Sequence, residues 1–196
     1  AGQNRSIQWF YGVDLSASAQ AILRRNRGIR AAEEIQECKK TELALSGRDL
    51  GDEGVAECIP ALTVHNTLQE LNLDRNQIGL NGAKSLADAL KENKALLKLY
   101  LGENEIGDAG ATALSEGIAV DKTLQVLDLY RNQIGPNGAT SLADSIKVNN
   151  TLQELVLEGN QIGPFGATSL ADALKENKAL LKLYLGENEI GDAGAT

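Results

Sequence analysis

The chain has 196 residues, with 19 Lys and Arg against 27 Asp and Glu, a net charge of −8. That balance argues against nucleic acid, whose binding rests on a basic footprint, and disfavours anionic membrane surfaces. No apolar run approaches the roughly 20 residues that span a bilayer, and two cysteines with one histidine are too few for a disulfide framework or an ordinary structural zinc site.

The opening "AGQNRSIQWFYGVDL" lacks the basic and apolar regions of a secretory signal. Met is absent throughout, so residue 1 is no translational start, and the expectation is a fragment or a processed product. "WFYGVDL" (9–15) has strand-like composition, while "SASAQAILRRNR" (16–27) and "AEEIQECKK" (32–40) read as two helices, the second from a shortened repeat. Residues 1–40 are expected to cap the first open core face of the segment that begins at residue 41, the alternative being the remnant of an upstream domain.

From residue 41 the chain repeats itself. "SLADALKENKALLKLYLGENEIGDAGAT" occurs at 85–112 and again at 169–196, and 169 − 85 = 84 is three periods of 28. The units are 41–66 (degenerate), 67–94, 95–122, 123–150, 151–178 and a partial 179–196. Each reads LxxLxLxxNxIGxxGAxxLAxALxxN. In the first half Leu71 and Leu73 alternate with Glu70, Asn72 and Asp74, the period of a half-buried strand. In the second half Ala83, Leu86, Ala87 and Leu90 make one apolar helix face.

The helix ends carry matching signals. Asp52, Asp108, Asp192, Pro136 and Pro164 come directly after the fixed glycine and suit a first helical turn. Asn93, Asp121, Asn149 and Asn177 recur just past the helix, where the left-handed conformation is expected. One unit cannot bury its own stripe, so a fixed period of this size predicts a solenoid. Its identity across copies records an internal duplication or a consensus construction.

This pattern resembles the leucine-rich repeat in its 28-residue ribonuclease-inhibitor-like form, also found in NOD-like receptors, over about 41–196. The resemblance implies an α/β class fold, a right-handed horseshoe with a parallel concave sheet and convex α-helices. It also implies a ladder of Asn76, Asn104, Asn132, Asn160 and Asn188 bonding the strand–helix turns, with Arg48 in that place in the first unit. The chain lacks the cysteines and concave tryptophans of ribonuclease inhibitor, and it has no GxxxxGK[ST] phosphate loop.

Little here points to catalysis, a metal or a cofactor, and none is expected. His65 falls on the helix-ending position of Asn93, and Cys58 on the core position of Leu86. Cys38 ends the preceding helix. Glycines before each helix recur in every unit, so tight-turn geometry accounts for them better than phosphate binding. Glu154 and Glu158 share a strand face without a pocket to separate their acidities.

The outward strand positions form three columns: Glu42, Glu70, Lys98, Val126, Glu154, Lys182; then Ala44, Asn72, Tyr100, Asp128, Val156, Tyr184; then Ser46, Asp74, Gly102, Tyr130, Glu158, Gly186. Strands about 4.8 Å apart would gather Tyr100, Asp128 and Tyr130, with Arg131 at the rim. Tyr and Arg are the side chains enriched in interface hot spots, although exposed strands favour Tyr and Val in any case. The leading expectation is therefore a non-catalytic module that binds a basic or mixed-charge protein through Tyr100, Asp128, Tyr130, Arg131, Tyr184, Glu70, Asp74, Glu154 and Glu158. The second is an architectural subunit held in a larger assembly by its ends or convex helices. A third is a GTPase-activating protein, since one such family resembles this repeat; Arg75 and Arg131 qualify by location. Reduced thiols and the missing signal point to an intracellular and cytoplasmic setting, or an organelle after loss of a transit peptide.

Overall fold

The computed structural model describes residues 16–191, so the strand expected at 9–15 and the turn residue Asp192 lie outside it. Six helices and six strands alternate among the described residues: α1 (Ala17–Glu37), β1 (Glu42–Ala44), α2 (Gly51–Val64), β2 (Glu70–Asn72), α3 (Leu80–Glu92), β3 (Lys98–Tyr100), α4 (Gly107–Val120), β4 (Val126–Asp128), α5 (Pro136–Val148), β5 (Glu154–Val156), α6 (Gly163–Glu176) and β6 (Lys182–Tyr184). The strands form one open parallel sheet in sequence order. Register is locked at one period, since Leu43, Leu71, Leu99, Leu127, Leu155 and Leu183 pair in a row. Each helix packs against the next, and the strand leucines with the apolar helix stripes make one continuous core. This is the expected α/β solenoid.

The two helices expected before residue 40 are a single 21-residue helix. No Pro interrupts that stretch, and Gly28 does not break it because it is a contact point: a Cβ there would lie 2.2 Å from the Gly54 carbonyl oxygen of α2. Two glycines thus let α1 and α2 touch along their backbones. Arg24 and Arg27 fasten the pair to the Asp49 carboxylate in the turn before α2. Ala31 and Ile35 of α1 are buried in the core, so α1 covers the N-terminal side of the first repeat.

The asparagine ladder is present. Asn76 donates to the carbonyls of Leu45, Leu73 and Asp74 and accepts from the N–H groups of Arg48 and Leu50, so one amide ties two units. Asn104, Asn132, Asn160 and Asn188 make equivalent bonds, all buried. In the first unit only the backbone N–H of Arg48 takes part; its guanidinium turns away to Glu34.

The helix-ending residues cap in a different geometry from the one expected. Asn93 has φ −66° and ψ 141°, extended and not left-handed. Its side-chain oxygen accepts from the N–H groups of Ala95 and Leu96, while its NH₂ donates to Leu62 and His65 carbonyls of the preceding unit. An Asx turn does the capping, so no positive φ is needed. His65 plays the same part: it is extended, and its Nδ1 accepts from the N–H groups of Leu68 and Thr67.

The fixed glycine also divides into two kinds. Gly51, Gly107, Gly163 and Gly191 have φ near +60°, whereas Gly79 and Gly135 are extended at −106° and −96°. The residue one unit earlier decides. Asp52 accepts from the N–H groups of Gly79 and Asn81, and Asp108 from those of Gly135 and Gly138, drawing both glycines into the extended form. Where Leu80, Pro136 or Pro164 stands there instead, no carboxylate is offered and the glycine stays left-handed. Tight-turn geometry therefore explains four of these glycines and not the other two. The aspartates serve the next unit's helix as well as their own first turn.

Candidate recognition surface

The strands β2 to β5 each bury their central leucine and turn the flanking two residues to the other face, as the pleat requires, while Leu43 of β1 and Leu183 of β6 are partly buried. Register then sets Glu70, Lys98, Val126, Glu154 and Lys182 in one row and Asn72, Tyr100, Asp128, Val156 and Tyr184 in the next. The columns read from the sequence are these rows. Tyr100 and Asp128 are direct neighbours on paired strands, and Tyr130 stands two residues beyond Asp128. Tyr184, on β6, is two strands from Asp128 and more exposed, so it lies apart from this group.

The charges are wired across strands. Lys98 pairs with Glu70 at 2.5 Å and Lys182 with Glu154 at 2.9 Å, a unit apart in both cases. Just beyond the strands Arg75 pairs with Glu103 at 2.5 Å and Arg131 with Glu187 at 3.6 Å. The hydrogen bond to the partner carboxylate raises the pKa of Lys98, Lys182 and Arg75, and Arg75 in turn lowers that of Glu103. All four cations of this surface are thereby matched. Glu42, Asp74, Asp128 and Glu158 have no ion pair among the described residues. The uncompensated charge of the face is negative.

Asp128 is shifted as well. Burial raises its pKa, the bond that its Oδ1 accepts from the Tyr130 N–H at 2.8 Å opposes the rise, and Asp74, Glu154 and Glu158 add to it. Tyr100 is shifted upward as well, first by burial and then by Glu70. The Arg131 guanidinium sits 4.9 Å from the centre of the Tyr130 ring, a cation–π distance. Asp74 is held by Asn72 Nδ2 at 3.0 Å and the Gly102 N–H at 2.7 Å.

Sequence columns did not reveal two features. The end of α1 walls the sheet: Glu34, Cys38 and Lys39 face Glu42, Asn72 and Tyr100 across an open groove of about 810 Å³. The basic pair after Cys38 was the only hint. The second is the set of unit-to-unit ion pairs: the 28-residue offset makes Glu70 and Lys98, and Glu154 and Lys182, neighbours, but not that their side chains meet. Cys58 is buried and its thiol is pushed up to about 12, mainly by burial, which fits the core position expected of it. No group of three or more metal-ligating side chains is gathered among the described residues, and no helix there is long and apolar enough to cross a membrane.

A family model described as a leucine-rich repeat matches at 64–87, 92–115, 120–143, 148–171 and 176–196, each start one period after the last. Curated proteins gave no match. Among solved structures, leiomodin-1 actin-binding site 2 is similar in fold at 20% identity and TM-score 0.61, over 84% of this chain and 90% of that one. The tropomodulin C-terminal domain of Caenorhabditis elegans is similar at 15% identity and TM-score 0.60, over 78% and 92%.

Proposed function

The chain belongs to the leucine-rich repeat family, and from that premise we propose that it is a non-catalytic module that recognises a protein through the exposed face of its sheet. The observation that carries this is the charge census. Every cation of that face is already neutralised within the chain, while Glu42, Asp74, Asp128 and Glu158 are not, so the unmet demand is for positive charge. Tyr100 and Tyr130 stand among those acids and supply large contact area at low entropic cost. A partner with basic side chains fits that demand, and its charge would also steer encounter.

Arg75 and Arg131 are held by Glu103 and Glu187, which supports matched surface charge over a role as a free arginine finger. The likeness in fold to leiomodin-1 actin-binding site 2 makes actin the first protein to test. Cosedimentation with actin filaments, run beside cross-linking mass spectrometry on protein purified from its native source, tests the reading. Cross-links around Tyr100 and Tyr130, with capture weakened by Tyr100→Ala combined with Tyr130→Ala, are the expected result. Cross-links confined to the convex helices, where Phe165 is 79% exposed, would support the architectural reading in its place.

A further inference from the structure

The residues that cap α2 to α6 form one column, and its first member differs in kind: His65 stands where Asn93, Asp121, Asn149 and Asn177 stand in the later units. Each of these side chains accepts from the N–H groups two and three residues further on. The asparagines have a second task. Their NH₂ groups donate to carbonyls of the unit before, as Asn149 does to Asp121 and Asn177 to Asn149.

His65 performs both tasks with one imidazole. Its Nε2 lies 3.1 Å from the carbonyl oxygen of Cys38, the residue that ends α1. Its Nδ1 lies 3.0 Å from the Leu68 nitrogen and 3.4 Å from that of Thr67. A carbonyl oxygen only accepts and a backbone N–H only donates, so both contacts demand the same ring, neutral with its proton on Nε2. The asparagine amides have no proton to gain near neutral pH, and the carboxylate of Asp121 only accepts. His65 is therefore the member of the column whose bonding pattern hangs on a proton exchanged in that range.

A second proton would sit on Nδ1. The ring would then aim an N–H at the N–H groups of Leu68 and Thr67, and both would lose their acceptor. The C-terminus of α2 favours a cation, but through a dipole screened at a partly exposed site, against donors in direct opposition. Among the described residues no carboxylate lines the hollow around the ring. From α1 come Gln36, the Cys38 thiol and Lys39, whose charge has the same sign as an imidazolium; from α2 come Ala61 and Val64. The next unit presents Asn93, uncharged, which donates to the His65 carbonyl.

What the ring holds is the exit from α1. Upstream that helix is secured by the Gly28–Gly54 contact and by Arg24 and Arg27 at Asp49. Beyond the buried Ile35 it is tied to the repeat by His65 at Cys38, and by Thr41, whose carbonyl accepts from Gln69 and Glu70. We propose that His65 is an acid-sensitive latch: neutral, it fastens the end of α1 to the first repeat, and protonated, it lets that end go. The sign follows from the bonding. The latch acts in full above the range where imidazole titrates, about pH 6.5, and is lost as pH falls through it. The same end of α1 walls the groove beside Tyr100, so acid loosens that wall and leaves the later units in place.

The chain has a single histidine, so its ring signals are unambiguous. Long-range ¹H–¹⁵N spectra of the whole chain at about pH 8 are expected to show the Nε2–H tautomer. Between about pH 7.5 and about pH 5.5 the exchange protection factors of the Leu68, Gln69 and Glu70 amides are expected to fall about tenfold, the effect of one lost cap. The Leu96 amide, capped by Asn93, is the steady control. His65→Asn, which keeps an acceptor and a donor but does not titrate, is expected to abolish the pH dependence. Asn93→His is expected to carry it to the amides of Ala95 and Leu96. An Nδ1–H tautomer at the higher pH, unchanged protection on acidification, or an equal fall in His65→Asn would overturn the latch. If either variant does not fold, the ring tautomer and the protection factors of the unaltered chain decide alone.

Discussion

Residues 66–112 and 150–196 differ only at 72, 74, 75, 80, 81 and 84 and their counterparts, yet they do not share one structure. Gln77 and Gly79 take positive and extended φ, while in the second copy Gly163 is left-handed and Gln161 is not among the positive-φ residues. Leu99 is fully buried, but its twin Leu183 is only partly so, and Leu181 is 74% exposed. The asparagine bonds, the strand register and the Lys–Glu pair are the same in both. Local sequence sets what is wired within a unit and to its neighbours' backbones. What the neighbour offers, a carboxylate at Asp52 or a ring at Pro136, sets the rest.

The largest test of that division is packing. Leu99→Ala should cost about 3 kcal/mol and Leu183→Ala about 1, because only the first leaves a closed cavity; chemical denaturation of both variants measures the gap. Equal losses would mean that burial at the two sites is alike in solution. Next comes a comparison expected to give no difference. Asn76→Ala and Asn160→Ala each strand buried backbone groups of two units, so each should cost about 2 kcal/mol. A gap above about 1 kcal/mol would show that the ladder is not equivalent along the chain.

The glycine contrast is smaller. Gly163→Ala puts a side chain at φ +59° and should cost about 1 kcal/mol, whereas Gly79→Ala, extended and 3.5 Å from the nearest Asp52 oxygen, should stay within about 0.5. Replacing Asp52 by Leu should erase that distinction by releasing Gly79 into the left-handed form, seen as a change in its amide shift. The smallest effect concerns Asp128, which stands where the flanking strands carry Tyr100 and Val156. Its raised pKa means the folded state binds the proton more tightly than the unfolded chain. Stability from this group is therefore full below the ordinary carboxylate range, and declines as pH rises from there to the raised value. Asp128→Asn should flatten that part of the stability–pH curve.

Much of this was readable in the letters. Leu71, Leu73, Ala83 and Leu86 announce strand and helix by period alone, and the invariant offset aligns the rows before any coordinates are drawn. The surface charge was readable too, but its neutralisation was not, because that depends on which long side chains meet across strands. Three readings were limited by context. Residues 16–27 and 32–40 looked like two helices and are one, with Gly28 between them a contact to α2. Asn93 looked like a left-handed stop, but its side chain makes the turn without one. Gly79 and Gly107 are the same letter in the same motif, and only the preceding unit tells them apart.

Each ladder asparagine holds its own turn and that of the unit before, and reaches no further. Mechanically such a chain is a zipper and not a block. Pulled from its ends, it has no single bond network whose failure releases everything, so units should peel away in turn. Each would lengthen the tether by about 90 Å, one unit of extended backbone, in a sawtooth whose teeth count the repeats.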